Sequence, residues 1–156
     1  MKIKLIVDFM NPKSKDIVDY LFEYRKTNDL DLEIVSYDEF HLENKINNAY
    51  YGLYYANRMG NSLDYVKCVL DRKYVDGKDI ADITELADCY STIGYDKNDF
   101  IDALHEGDYP EMHAVFQEMY KNKGICEGAV CIAYPDNVEE IYDLGQLKAA
   151  LDAARD

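Results

Sequence analysis

No two cysteines in this sequence stand two residues apart. The four are Cys68, Cys89, Cys126 and Cys131. That spacing excludes a C-x-x-C redox pair and the doubled C-x-x-C of a structural zinc site. No apolar run approaches the ~18 residues of a membrane-spanning helix. Met1 to Val7 is too short and too strand-like for a secretory signal, so reduced thiols in a cytoplasmic setting are expected. Bases are scarce: 17 Lys and Arg face 31 Asp and Glu, a net charge of -14. Such a surface repels nucleic acid and anionic lipid, so neither nucleic acid nor membrane is expected as a partner. There is no phosphate-cradling glycine loop and no nucleophile elbow. His41, His105 and His113 are scattered without ligand spacing, and Asp76-Gly77-x-Asp79 is a turn without the preceding calcium-loop ligands, so no metal is expected. Repeats and low-complexity tracts are absent too.

What is present is a chain of 156 residues, 48% hydrophobic, enough for one domain with a real core. Lys2 to Phe9 reads as a buried strand, Pro12 to Thr27 as an amphipathic helix, and Asp29 to Tyr37 as a second strand. The strand signal then disappears. Asn48 to Arg58, Ser62 to Lys73, Ile83 to Ile93, Asn98 to His105 and Pro110 to Lys123 read as helices. Gly60, Gly77, Gly94 and Gly107 fall at helix ends or turns, and Asp79, Asp82 and Asp96 at N-caps. Gly124 closes the last of these helices. Ala129 to Tyr134 and Glu139 to Asp143 return to strand around the turn Pro135-Asp136-Asn137, and Gln146 to Ala154 is a terminal helix. The order is β-α-β, a helical block, then β-β-α. It predicts an α/β, thioredoxin-like fold, its core formed by residues 1–41 and 124–156, with an all-helical insertion over 42–123.

The turn between the first strand and helix, Asp8-Phe9-Met10-Asn11-Pro12-Lys13-Ser14, carries the chemistry. In thioredoxin-fold enzymes it holds Cys-Pro-x-Cys, whose thiolate is stabilised by the helix N-terminus. Further segments fit the same scheme: Gly77-Lys78-Asp79-Ile80 with Leu86-Ala87, Ile93-Gly94-Tyr95-Asp96 with Phe100 and Leu104, and Gly124-Ile125-Cys126-Glu127-Gly128-Ala129-Val130. Together they resemble the DsbA-like family, above all its cytoplasmic-type branch with a compact helical insert, over nearly the whole chain. The resemblance implies a disulfide oxidoreductase ancestry. Its active-site positions fall on Asn11, Pro12, Lys13 and Ser14, so both redox cysteines are missing. Its cis-proline position falls on Ala129, where a cis bond would cost ~3 kcal/mol or more, so a trans bond is expected.

Asn11 reads as an N-cap before Pro12 at the first helical position, and alternatively as a ligand contact. Ser14 reads as an exposed helical serine. Lys13 can attract an anion but is ordinarily just solvated. Cys126 reads as the most reactive thiol, in a loop facing the turn with Gly128 and Ala129, whereas Cys68, Cys89 and Cys131 are expected on apolar faces. Tyr50, Tyr51, Tyr54 and Tyr55 form an aromatic double stripe, expected in the core with hydroxyls at its rim. Three functions are consistent with this pattern. One is a family member that has lost dithiol chemistry and acts as a binding module for a small thiol or peptide. Another is a glutathione-dependent enzyme resembling kappa-class glutathione transferases and 2-hydroxychromene-2-carboxylate isomerases, with Asn11 and Ser14 at the thiol. The third is monothiol activity at Cys126. Glutathione is the one cofactor entertained, and a homodimer is compatible with the tyrosine-rich surface.

Overall fold

The computed structural model describes residues 3–36, 46–122, 130–133, 138–141 and 143–155. The chain opens with β1 (Ile3–Val7), α1 (Lys13–Tyr24) and β2 (Leu32–Ser36). Five helices follow: α2 (Asn47–Met59), α3 (Ser62–Tyr74), α4 (Ile83–Thr92), α5 (Lys97–Glu106) and α6 (Tyr109–Asn122). It closes with β3 (Val130–Ala133), β4 (Val138–Ile141) and α7 (Leu144–Arg155). The strands form one sheet in the order β2-β1-β3-β4. β1 runs parallel to β2 and antiparallel to β3, and β3 runs antiparallel to β4. This is the expected thioredoxin-like fold with helices inserted between β2 and β3.

β1 holds the centre because Leu5, Ile6 and Val7 are all buried, as they must be in a strand covered on both faces. Leu5 lies beside Ile34 on one flank and Ile132 on the other. α1 turns Ile17, Val18 and Leu21 inward, a spacing that puts all three on one helical face. Each contributes ~1.5–3 kcal/mol on burial.

The inserted helices have their own aromatic core. Tyr65, Tyr90, Phe100 and Tyr109 are fully buried. Tyr90 and Phe100 pack with ring centroids 4.9 Å apart, and the Tyr65 hydroxyl donates to the Ala49 carbonyl at 2.9 Å. α2 and α3 approach this closely only because position 52 is glycine: a Cβ there would lie 2.1 Å from the Tyr65 hydroxyl. The tyrosine stripe behaves as core. Tyr50 and Tyr54 are buried and Tyr51 and Tyr55 half-buried. His113 joins the stripe, stacked on Tyr50 at 5.1 Å and hydrogen-bonded to the Tyr54 hydroxyl at 2.8 Å.

Helix ends follow local chemistry. Gly60 and Gly94 adopt positive φ of 87° and 98° just beyond α2 and α4, where other residues would be strained. Asp82 and Asp96 accept first-turn N–H groups of α4 and α5. Asp79 departs from expectation. It accepts the Ala81 N–H at 2.9 Å within a turn and caps no helix, because the chain bends again before α4 begins.

The insertion is fastened to the core from two sides. Asn57 of α2 donates to the Ile34 carbonyl of β2 at 2.6 Å. Between α1 and α3, Lys67 reaches Asp19 at 2.8 Å and Asp71 at 3.0 Å, Lys15 pairs with the same two aspartates, and Arg25 forks onto Asp64. Among the described residues no helix is long and apolar enough to cross a membrane, and no group of three His, Cys, Asp or Glu is placed to hold a metal ion.

Candidate functional site

β1 ends at Val7, at one end of the central strand, and the chain then makes a tight turn into α1. Each step of that turn is hydrogen-bonded. The Asp8 carboxylate accepts the Met10 N–H at 2.8 Å, and the Asp8 carbonyl accepts the Asn11 N–H at 3.1 Å. Asn11 Oδ1 accepts the Lys13 N–H at 3.1 Å. The Asn11 carbonyl takes the Ser14 N–H at 3.0 Å, and the Pro12 carbonyl takes that of Lys15 at 3.2 Å. Pro12 has no N–H and already sits at helical angles, φ -62° and ψ -22°. The expected capping position is shifted by one: Pro12 is the N-cap of α1, and Asn11 stands just before it, its side chain closing the turn onto Lys13.

The consequence is electrostatic. Every backbone N–H from Met10 to Lys15 has an acceptor inside the protein. A helix N-terminus attracts an anion through its dipole and its unspent N–H groups together. Here only the dipole is offered, with the Asp8 and Asp16 carboxylates beside it.

Ser14 corrects the sequence reading. It is 0% exposed, facing the core beside Ile17 and Val18 rather than solvent. The reason is geometric: three and four residues before Ile17 and Val18, it lies on their face of α1. Asn11 remains half-exposed, and Pro12 and Lys13 are exposed. The structure therefore leaves Asn11 at the surface and withdraws Ser14. Cys126, Gly128 and Ala129 lie outside the described residues, as do Gly124 and the loop they share. β3 begins at Val130, whose register partner is Val7, the last residue before the turn. Cys131 pairs in register with Ile6 and Glu140.

Two features were not legible as site elements in the sequence. Tyr74, the last residue of α3, donates its hydroxyl to the Phe9 carbonyl at 2.8 Å and so ties the insertion to the turn. Burial, and then the Asp8 carboxylate, push the Tyr74 phenol up to about 12, so it stays a donor at any physiological pH. Beside this link a cavity of about 350 Å³ opens between the turn and the insertion. Met10 lines it from the turn, and Ile46, Lys73, Lys78, Asp79, Ile80 and Ala81 line it from the insertion. Among the described residues neither Lys73 nor Lys78 makes an ion pair, in a chain of charge -14. The only sequence signal for this wall was the Gly77-Lys78-Asp79-Ile80 segment.

Chemically, the described part of the turn holds no thiol, no accessible hydroxyl and no spare backbone donor.

No protein-family model matches the sequence, and no curated protein matches it either. Solved structures do. Cytosolic disulfide reductase DsbM from Pseudomonas aeruginosa, solved with GSH, superposes with a TM-score of 0.74 at 11% identity, covering 99% of this chain and 98% of its own. The fold is DsbA-like. Pseudomonas aeruginosa DsbA gives 0.67 at 16% identity over 99% of this chain and 87% of that one. A candidate protein disulfide isomerase from Nitrosomonas europaea gives 0.76 at 12% identity over 98% and 97%. At these identities the likeness speaks for the DsbA-like fold alone. Chemistry has to be argued from the residues at the turn.

Proposed function

We propose that this protein is a DsbA-like family member that has lost dithiol chemistry and acts as a binding module for a small, carboxylate-bearing thiol or peptide. The observation that carries the reading is the turn itself. Asn11 and Ser14 stand where the family's exchange pair would be, Ser14 is buried, and Asn11 spends its side-chain oxygen on closing the helix start. A catalytic thiolate trap has become a self-satisfied turn. The ligand would lie against Asn11 and Met10, with its carboxylates toward Lys73 and Lys78. Cytoplasmic residence belongs to the same reading, because the chain's thiols would there stay reduced.

A glutathione-dependent transferase or isomerase is the second reading. The lysine-lined cavity and the fold shared with a GSH-bound reductase favour it. Against it stands the lack of unspent donors at the helix start, since such an enzyme must stabilise a thiolate.

Calorimetric titration with reduced glutathione separates these readings from an empty cleft. Binding in the micromolar-to-millimolar range is expected, weakened several-fold by Lys73→Ala with Lys78→Ala. Insulin reduction by dithiothreitol should stay at the uncatalysed rate. Turnover near that of a thioredoxin control would overturn the loss of dithiol chemistry. Absence of glutathione binding, together with no response to carboxylate-rich peptides, would remove the proposed ligand class.

A further inference from the structure

The thiols lost from the turn have counterparts elsewhere in the molecule. Cys68 of α3 and Cys89 of α4 meet where these two helices pack. The Cys68 sulfur lies 3.8 Å from the Cys89 carbonyl oxygen and 3.5 Å from Thr92 Oγ1. Cys89 is buried, 1% exposed. Cys68 is half-buried and lines a cavity of about 280 Å³ together with Phe22, Lys67, Arg72 and Thr92. Both pack on the apolar core as expected, Cys89 inside it and Cys68 at its edge, where the sulfur also borders the cavity. Arg72 is one helical turn beyond Cys68, on the same face of α3. The charged groups around this sulfur are Lys67 and Arg72 against Asp64, Asp71 and Asp76, with Glu85 of α4 paired to Arg72 at 2.9 Å.

We infer that Cys68 and Cys89 are a redox-active thiol pair, Cys68 the nucleophile and Cys89 the resolving thiol, which small aliphatic disulfides oxidise through this cavity. The environment divides the labour between the two sulfurs. The Cys89 thiol hydrogen-bonds to Cys68 and, with Thr92 and the Arg72 guanidinium, outweighs the opposing effect of burial and lowers the Cys68 thiol to about 6. Cys89 is pushed up, first by the same hydrogen bond and then by burial. The more acidic thiol borders the cavity and the less acidic one is enclosed, an arrangement suited to stepwise exchange.

The steps balance. The Cys68 thiolate attacks one sulfur of R–S–S–R, forming a mixed disulfide and releasing R–S⁻, which is protonated from solvent. Cys89 then attacks the Cys68 sulfur, the second R–S⁻ leaves, and the Cys89 proton passes to it. The protein is oxidised by two electrons to a Cys68–Cys89 disulfide, and the small disulfide departs as two thiols. A cavity of this size admits a small molecule rather than a folded protein, so the activity is separate from the insulin reduction that the turn has lost.

Glutathione disulfide is the probe. The intact reduced protein is incubated with it, quenched by alkylation and mapped by mass spectrometry. A Cys68–Cys89 disulfide is expected in the wild type. Cys89→Ala should halt at a mixed disulfide on Cys68, and Cys68→Ala should leave Cys89 a thiol. In the untreated wild type at pH 7, iodoacetamide should label Cys68 at least about tenfold faster than Cys89. That arm needs no variant and survives any loss of folding in the others. Adducts confined to Cys126 or Cys131, with Cys68 and Cys89 left as thiols, would overturn the inference. So would equal labelling of the two.

Discussion

Two helix-associated sites in this molecule stand in opposite chemical states. The turn before α1 keeps the geometry of a thiolate trap, a strand feeding a proline-initiated helix, yet holds no thiol and no unspent N–H. The α3–α4 junction has no such geometry, yet holds two thiols, a guanidinium and an opening to solvent. The contrast teaches that a helix N-terminus is an anion site only while its donors are unspent. Elsewhere, a thiol's acidity is set by the few groups that touch it.

The comparison can be broken most forcefully by refilling the turn. Asn11→Cys with Ser14→Cys removes the Oδ1 acceptor from the Lys13 N–H and restores a dithiol at the family spacing. Insulin reduction should rise by an order of magnitude or more over the wild type. The thiol introduced at position 11 should ionise well below the ordinary range near 8.5. If it titrates like an ordinary thiol while the fold persists, the turn is not the one the DsbA-like scaffold implies.

Next in size is the packing that holds the other site. Ala is usually ~1 kcal/mol better than Gly inside a helix. At position 52 the sign should reverse, because the new methyl collides with the Tyr65 hydroxyl and approaches Phe100 within 3.0 Å. Gly52→Ala should cost ~2–3 kcal/mol in denaturant unfolding. It should also raise Cys89 labelling, since Tyr65 lies on α3 one turn before Cys68. A neutral or stabilising result would mean that α2 and α3 do not pack this closely.

Tyr74→Phe removes one hydrogen bond between the insertion and the turn. About 1 kcal/mol should be lost, the net worth of such a bond. Glutathione affinity should weaken while the Cys68 labelling rate stays unchanged. A change at Cys68 instead would show that the two sites are coupled.

The smallest effect lies in the charge cluster joining α1 to α3. Burial would raise the Asp19 carboxyl, but hydrogen bonds from Lys15 and Lys67 outweigh it and hold the group below its usual value. A carboxylate so depressed adds stability above its unfolded pKa, and loses it as pH falls through the lower folded value. Asp19→Asn should therefore cost ~0.5 kcal/mol at pH 7, discounted for partial exposure, and the difference should shrink steadily as pH falls below about 4. A pH-independent difference would assign the effect to packing.

Local signals were legible in the sequence, because they depend on neighbours along the chain. The apolar run Ile3 to Val7 made a strand and the 17/18/21 spacing a helix face. Gly60 and Gly94 ended helices because they tolerate positive φ, and Asp82 and Asp96 started them because a carboxylate reaches two or three residues ahead. That Asn11 and Ser14 put no thiol in the turn needed no structure either. Tertiary structure alone decided which groups meet. It turned Ser14 inward, since the depth of a helical face depends on what packs over it. It brought Tyr74 to Phe9, 65 residues away, and set Lys73 and Lys78 along a cavity beside the turn. It placed Cys68 against Cys89 across 21 residues of sequence. No local periodicity encodes such pairs, because they form only when helices packed through the Tyr65, Tyr90 and Phe100 core fix the distance between them.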